Sequence, residues 1–224
     1  MTASRLILWR HGRTAHNSSR RIQGRTDIPL DTTGRGQAER SAAMLVAYKP
    51  SAIVASDLLR ARATAEALGR LTGIDVATDP RLRERAFGQW EGLSFEEILD
   101  RWPVEAAAWR RGQDVPDVGM ETRSAAAGRF VTGVITAAER VPAEGTLVVA
   151  SHGGVIVSGL TALLGLDPVE WLGLQVMGNA RWAVVESGDH TSSGWRLVSY
   201  DVGPRDPAAD GVPWFPADRK NGVT

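Results

Sequence analysis

The sequence predicts an α/β protein with parallel strand pairs, and three observations carry that prediction. Apolar runs at residues 6–9, 52–55 and 146–150 have the length and character of short buried strands. A stretch with helical spacing of apolar residues follows each run, and the strand–helix–strand–helix order points to parallel pairing. Two of the runs also stop in the same way, at His11-Gly12 and at His152-Gly153. In such proteins ligands sit at strand ends.

Composition narrows the classes of function. The 224 residues form one large domain or two small ones, enough to bury a core without staples. Cysteine is absent, which excludes disulfide and thiol chemistry. Acidic and basic residues balance at 26 each, so no net field favours nucleic acid or a membrane. No apolar stretch reaches membrane-spanning length, and residues 1–5 lead into the first strand without a signal-peptide core. The expected setting is the cytoplasm. Most of the eight tryptophans are expected as core or interface anchors.

In chain order, the first strand gives way to a polar loop over residues 16–29, kept irregular by Pro29 and glycines. Thr32 or Thr33 is placed to cap a helix running to about Tyr48, ended by Pro50. After the second strand, Ser56 or Asp57 is placed to cap a helix with Leu58, Ala61, Ala65, Leu68 and Leu71 on one face, closed by Gly73. Residues 76–78 suggest another strand. Residues 94–112 read as one or two short helices broken at Pro103, 114–119 as a loop and 122–140 as a helix in which Gly128 and Gly133 are unfavourable. A helix opens after His152 and runs to about Leu164. Residues 181–186 and 195–200 read as late strands of a hairpin, and 204–224 as an irregular tail.

The chemistry concentrates at the strand ends. Arg10 offers a planar fork that fits phosphate oxygens. His11 offers a nitrogen nucleophile near neutral pH. Gly12 allows close approach of backbone to a ligand. Alone, an Arg-His-Gly is equally well a strand end with a surface arginine and a half-buried histidine. If both strands are central and parallel, His11 and His152 meet in one crevice, although a lone His152 could equally cap a helix.

Arg10-His11-Gly12-Arg13-Thr14, with Asn17 beyond it, resembles the signature of the histidine phosphatase superfamily, also called phosphoglycerate mutase-like. The segment from Ser56-Asp57-Leu58-Leu59-Arg60-Ala61 to Thr64-Ala65 is similar to a second family segment. There Arg60 takes the phosphate-binding place and Arg62 that of a solvated arginine. The helix N-terminus around Arg60 would add to anion binding. Glu84 takes the place of the proton donor, its acid form favoured beside a phosphate. Glu91 is the rival carboxylate, and the resemblance places it in the structural turn Gly88-Gln89-Trp90-Glu91-Gly92.

The resemblance implies a three-layer, mostly parallel mixed sheet with helices on both faces. It implies one domain over residues 1–203 with a cap insertion near 94–119. The family's Gly-Gly-Glu-Ser segment is here Gly119-Met120-Glu121-Thr122, which puts the lower edge of the cap in question. The implied mechanism has His11 attacking phosphorus while Arg10, Arg60 and His152 hold the phosphoryl oxygens and Glu84 protonates the leaving alcohol. No metal and no cofactor is required. Asn17, Arg13, Arg21, Gln23 and Gly153 are candidates for substrate contact, with Arg110 and Arg111 considered beside them. His16 and His190 read as surface or loop residues.

Arg13-Thr14 and Gly153-Gly154-Val155, together with the Gly88–Gly92 turn, resemble the phosphatase branch rather than the mutases. Gln23-Gly24, Trp171, the stretch 177–182 and Trp195-Arg196-Leu197 resemble a group of actinobacterial enzymes within that branch. The expected substrate is a small phosphomonoester such as a phosphoglycerate, a sugar phosphate or a glucosylated phosphoglycerate. A cofactor-dependent phosphoglycerate mutase and a non-catalytic phospholigand-binding module are the alternatives. Neither nucleic acid nor membrane is an expected partner, and a homodimer is left open.

Overall fold

The three apolar runs lie side by side at the centre of one six-stranded sheet. The computed structural model describes residues 3–188, 191, 193–204. The strands are β1 (Arg5–Arg10), β2 (Pro50–Ala55), β3 (Val76–Thr78), β4 (Thr146–Ser151), β5 (Trp182–Ser187) and β6 (Trp195–Val202). Their order is β3-β2-β4-β1-β5-β6. The first four neighbours run parallel, and β5 and β6 are antiparallel additions at one side. Strands buried on both faces need continuous apolar sequence, which is why β1 and β4 stand out. Every residue of β4 is buried.

Alternation along the strands separates two cores. Leu6, Leu8, Val149 and Val185 face helices α6 (Arg123–Ala138) and α7 (Gly153–Leu163). Ile7, Trp9, Val148 and Val184 face α2 (Thr32–Leu45) and α3 (Leu59–Thr72), and a single turn, α1 (Ala15–Ser18), interrupts the expected loop after β1. The fold is therefore a three-layer α/β structure, as the family resemblance implies. A third apolar cluster lies apart from the sheet. It joins Ile22, Trp90, Phe95, Ile98, Ala106, Val118 and Met120, with α4 (Phe95–Arg101) and α5 (Pro103–Arg110). Proline at the first position of α5 is compatible with a new helix there, because that residue donates no helical hydrogen bond. Met120 is buried in this cluster, so its departure from the family's glycine fills space at the lower edge.

The local signals differ from expectation in instructive places. The N-cap of α2 is Asp31, whose Oδ1 accepts from Gly34 N at 2.7 Å, and neither threonine is used. The α-helix stops at Leu45, a 3₁₀ turn over Val46–Tyr48 follows, and Pro50 opens β2. The N-cap of α3 falls on Leu58, which has no capping side chain; Ser56 is hydrogen-bonded to His152, Asp57 to Arg83, and Leu59 N donates instead to Asp27 Oδ1 at 2.8 Å. Leu71 faces solvent at 56% exposure. Gly73 does close α3, in the left-handed conformation at φ 73°. Glycine at 133 leaves room for Arg81 and Leu82, whose atoms would lie 3.2 Å from a Cβ there. The expected tail at 204–224, apart from residue 204, and His190 lie outside the described residues. Among the described residues no helix is long and apolar enough to cross a membrane.

Candidate active site

Register brings the two histidines together. Arg10 of β1 pairs with Ser151 of β4, and His11 N continues the ladder by donating to Ser151 O at 2.9 Å. Both chains then leave the sheet at its carboxyl edge, and the two imidazole centroids lie 5.2 Å apart. His11 is 2% exposed. Its carbonyl is held by Ala180 N and by Asn179 Nδ2. Its Nδ1 lies 2.7 Å from Gly12 O. A carbonyl only accepts, so Nδ1 carries the proton and the lone pair sits on Nε2. Burial, and then the charges of Arg60 and Arg10, hold the pKa of His11 well below the ordinary histidine range. The ring is thus a neutral, oriented base at pH 7.

His152 is buried and neutral for the same reasons, burial first and Arg60 second. Ser56 Oγ accepts from Leu58 N at 3.3 Å and lies 2.8 Å from His152 Nε2. With the serine proton directed to Nε2, His152 carries its own proton on Nδ1, which finds no acceptor among the described residues.

Two guanidinium groups stand beside these rings. Arg10 donates to Met177 O. Arg60, in the first turn of α3, is fully buried and donates to Gly24 O at 2.7 Å and Thr26 O at 2.8 Å. Its Nε has no hydrogen-bond partner among the described residues. Burial brings its pKa down to about 10, with Glu84 opposing, so it remains a cation at neutral pH. Glu91 builds the loop that holds it, accepting from Arg25 N and Thr26 N at 3.0 and 3.1 Å. That role matches the structural turn expected for Glu91. Arg62 is exposed and paired with Glu66 at 2.8 Å.

Glu84 is buried opposite. Its carboxylate accepts from Gly154 N at 2.9 Å and Val155 N at 2.8 Å, at the start of α7, and from Arg85 N at 2.8 Å. A cavity of about 150 Å³ is lined by Arg10, His11, Asn17, Gln23, Arg60 and Glu84 among its polar residues, while His152 lies beside His11 outside that lining. Gly153 also lines it, and a Cβ there would meet Val176 at 2.5 Å and Arg10 at 3.2 Å. Ile22, Phe87, Trp109 and Val176 form the apolar wall. Trp109 meets Phe87, Trp90 and Phe95 at ring centroid distances of 6.0, 5.4 and 6.5 Å.

Some expected contacts fall elsewhere. The Arg13 guanidinium binds Asp31 at 2.8 Å, and that of Arg21 binds Glu97 at 2.7 Å and Gly92 O; neither lines the cavity. Each has a nearer carboxylate supplied by a local helix start, which the sequence pattern did not reveal. Arg110 lies over the Phe95 ring and Arg111 on Gln113, again off the cavity. Gly12 makes room for protein and not for ligand: Gly34 O would lie 2.3 Å from a Cβ there. His16 is half-buried, its pKa lowered by burial and by Arg21. Sequence reasoning missed Ser56, Asn179 and the wall residues Ile22, Phe87 and Val176. The asparagine side chain acts through His11 O and Asn17 Oδ1, and the apolar wall looks like any core. Among the described residues, no group of three or more histidines and carboxylates is gathered to hold a metal.

A neutral histidine with an open ring nitrogen, two guanidinium groups and a carboxyl around one small cavity are parts that phosphoryl transfer to nitrogen can use. The sequence matches the histidine phosphatase superfamily (branch 1) over residues 6–202, and the chain belongs to that family. It is 37% identical over 209 residues to the glucosyl-3-phosphoglycerate phosphatase of Mycobacterium tuberculosis, covering 88% of this chain and 94% of the relative. It is 39% identical over 197 residues to that of Mycolicibacterium vanbaalenii, covering 85% and 87%. A solved mycobacterial glucosyl-3-phosphoglycerate phosphatase in complex with VO3 aligns with a TM-score of 0.81 at 35% identity, over 89% of this chain and all of that one. The chain is a phosphatase acting on a small phosphorylated metabolite.

Proposed function

We propose that this phosphatase works through a phosphohistidine on His11, without a metal, and that its first candidate substrate is glucosyl-3-phosphoglycerate. The observation that carries the mechanism is the orientation of His11. Its Nδ1–H is held by Gly12 O, and its Nε2 lone pair is left for phosphorus. In the first step Nε2 forms a bond to phosphorus and the ester P–O bond breaks. Glu84 passes a proton to the departing alkoxide. In the second step water attacks phosphorus, Glu84 takes its proton, and the N–P bond breaks to regenerate His11. Arg10, Arg60 and the Nδ1–H of His152 hold the phosphoryl oxygens as charge moves between them.

Support for the substrate comes from the relatives and from the wall. Its apolar and aromatic residues suit a sugar face, while Asn17 and Gln23 add polar groups to the lining. In Asn17 the oxygen receives Thr14 N and Asn179 Nδ2, which leaves its amide nitrogen for a ligand. The third cluster, α4 and α5 included, acts as the cap within a single domain. Mutase chemistry has less support. The Mycobacterium and Mycolicibacterium relatives, which match over most of this chain and most of their own length, are phosphatases.

Rapid quench of the enzyme with labelled glucosyl-3-phosphoglycerate in excess chelator tests both parts. The expected result is acid-labile label on His11 and undiminished phosphate release. Activity lost to the chelator and restored by magnesium or zinc would refute the metal-free route. Slow turnover of this substrate beside rapid turnover of other sugar phosphates would refute the substrate alone.

A further inference from the structure

The stretch that presents Glu84 is held by side chains at every carbonyl. Arg129, on α6, donates through one terminal nitrogen to Arg81 O at 2.8 Å and Arg83 O at 2.6 Å. Its other terminal nitrogen donates to Glu84 O at 3.0 Å and Glu121 Oε2 at 2.8 Å, and Nε donates to Glu121 Oε1 at 2.8 Å. All five N–H groups of the guanidinium are thereby used. The remaining carbonyl of the arch, Leu82 O, accepts from Ser151 Oγ at 2.7 Å. Glu121 in turn accepts from Ala86 N and Arg25.

Carbonyls of one short arch point where its φ and ψ direct them, so fixing three of them fixes the backbone from which the Glu84 side chain departs. The carboxylate end is fixed separately, by the backbone N–H groups of α7. A proton donor must sit within hydrogen-bond reach of the leaving oxygen, and a displacement of about 1 Å can cost two orders of magnitude.

We propose that Arg129, oriented by Glu121, is a positioning residue for Glu84: it aims the carboxyl at the leaving-group oxygen by clamping the carbonyls of residues 81, 83 and 84. The proposal rests on the reading of Glu84 as the proton donor. It separates from a merely structural role by leaving-group dependence. A poor alkoxide leaving group needs the proton, and an activated aryl oxide departs without it.

The experiment measures kcat/KM of the full-length enzyme on glycerol 3-phosphate and on 4-nitrophenyl phosphate, and follows their ratio. Arg129→Met should lower the alkyl-to-aryl ratio about ten-fold, a part of what a general acid contributes. Arg129→Lys keeps the charge but not the fork, and should recover part of the ratio. It also serves where the methionine variant folds poorly. In a Glu84→Gln background, Arg129→Met should move the ratio no further, since the two changes act on one group. Equal loss on both substrates would overturn the proposal and leave Arg129 a packing residue. A ratio moved by Glu84→Gln but untouched by either Arg129 variant overturns it as well. A ratio that Glu84→Gln itself leaves unchanged removes the donor reading of Glu84, and the clamp with it.

Discussion

At the polar end of the cavity, the side chains of Arg10, His11, Arg60 and Glu84 are each held by hydrogen bonds to backbone groups; at the wall, the side chains of Ile22, Phe87 and Val176 carry no hydrogen-bonding atom and are positioned by packing. Hydrogen bonds to carbonyls and N–H groups fix direction, which the proposed nucleophile and anion grip at the polar end require, since both act along defined lines. Packing fixes only shape and volume. The same fold can therefore keep one reaction while its wall is recut for another leaving group. The aromatic contacts of Trp109 place the most replaceable part of the site on the cap cluster.

The division predicts effects that shrink from the polar end outward. His11→Ala should abolish turnover of even an activated aryl phosphate while the near-ultraviolet dichroism of the fold persists. Substantial remaining turnover would place the nucleophile elsewhere. Arg60→Ala should lower kcat by roughly 10²–10⁴-fold, as for loss of a preorganised donor to a developing anion. Arg62→Ala, one turn position away but exposed and paired with Glu66, should change little. Equal effects at the two positions would mean that the grip is set by net charge and not by direction.

At the wall, Trp109→Ala should cost about ten-fold in kcat/KM on a sugar-bearing substrate, in line with the loss of aromatic stacking, and most of it should appear in KM. A loss carried by kcat would show that the wall takes part in the chemistry. The smallest effect concerns pH. His11 and His152 stay neutral in the fold, with pKa values well below the ordinary value of about 6.5. Below that pH the unfolded chain binds more protons, so stability is present at pH 7.5 and declines as pH falls, by at most about 1.4 kcal/mol per pH unit for each histidine. Melting temperature should fall between pH 7.5 and 5.5, with a shallower slope in His152→Gln. An unchanged slope would show that His152 titrates alike in both states.

What the sequence made legible follows the same line. Strand ends are local features, so Arg10, His11 and His152 stand out in the amino-acid order, whereas Arg60 and Glu84 are placed by the resemblance to the family's segments and by no local pattern. Gly73 is legible too, because a helix end in the left-handed conformation asks for glycine. What failed depended on choices between near-equivalent partners. Asp31 won the N-cap from two threonines, and Asp31 and Glu97 took the arginines expected at the substrate. Residues that act through another group, such as Asn179 and Arg129, left no pattern at all. Their partners are more than a hundred or some forty-five positions away along the chain.

The central position of β1 has a consequence for how the protein is made. Its neighbours in the sheet are β4, which begins at Thr146, and β5, which begins at Trp182. During synthesis at about 5–20 residues per second, the run Leu6-Ile7-Leu8-Trp9 leaves the ribosome on the order of 10 s before either neighbour exists. For that interval an apolar strand has both edges unpaired, and an unpaired apolar edge is a template for pairing with another chain. Yield in the cell therefore depends on how well a nascent chain is shielded at β1.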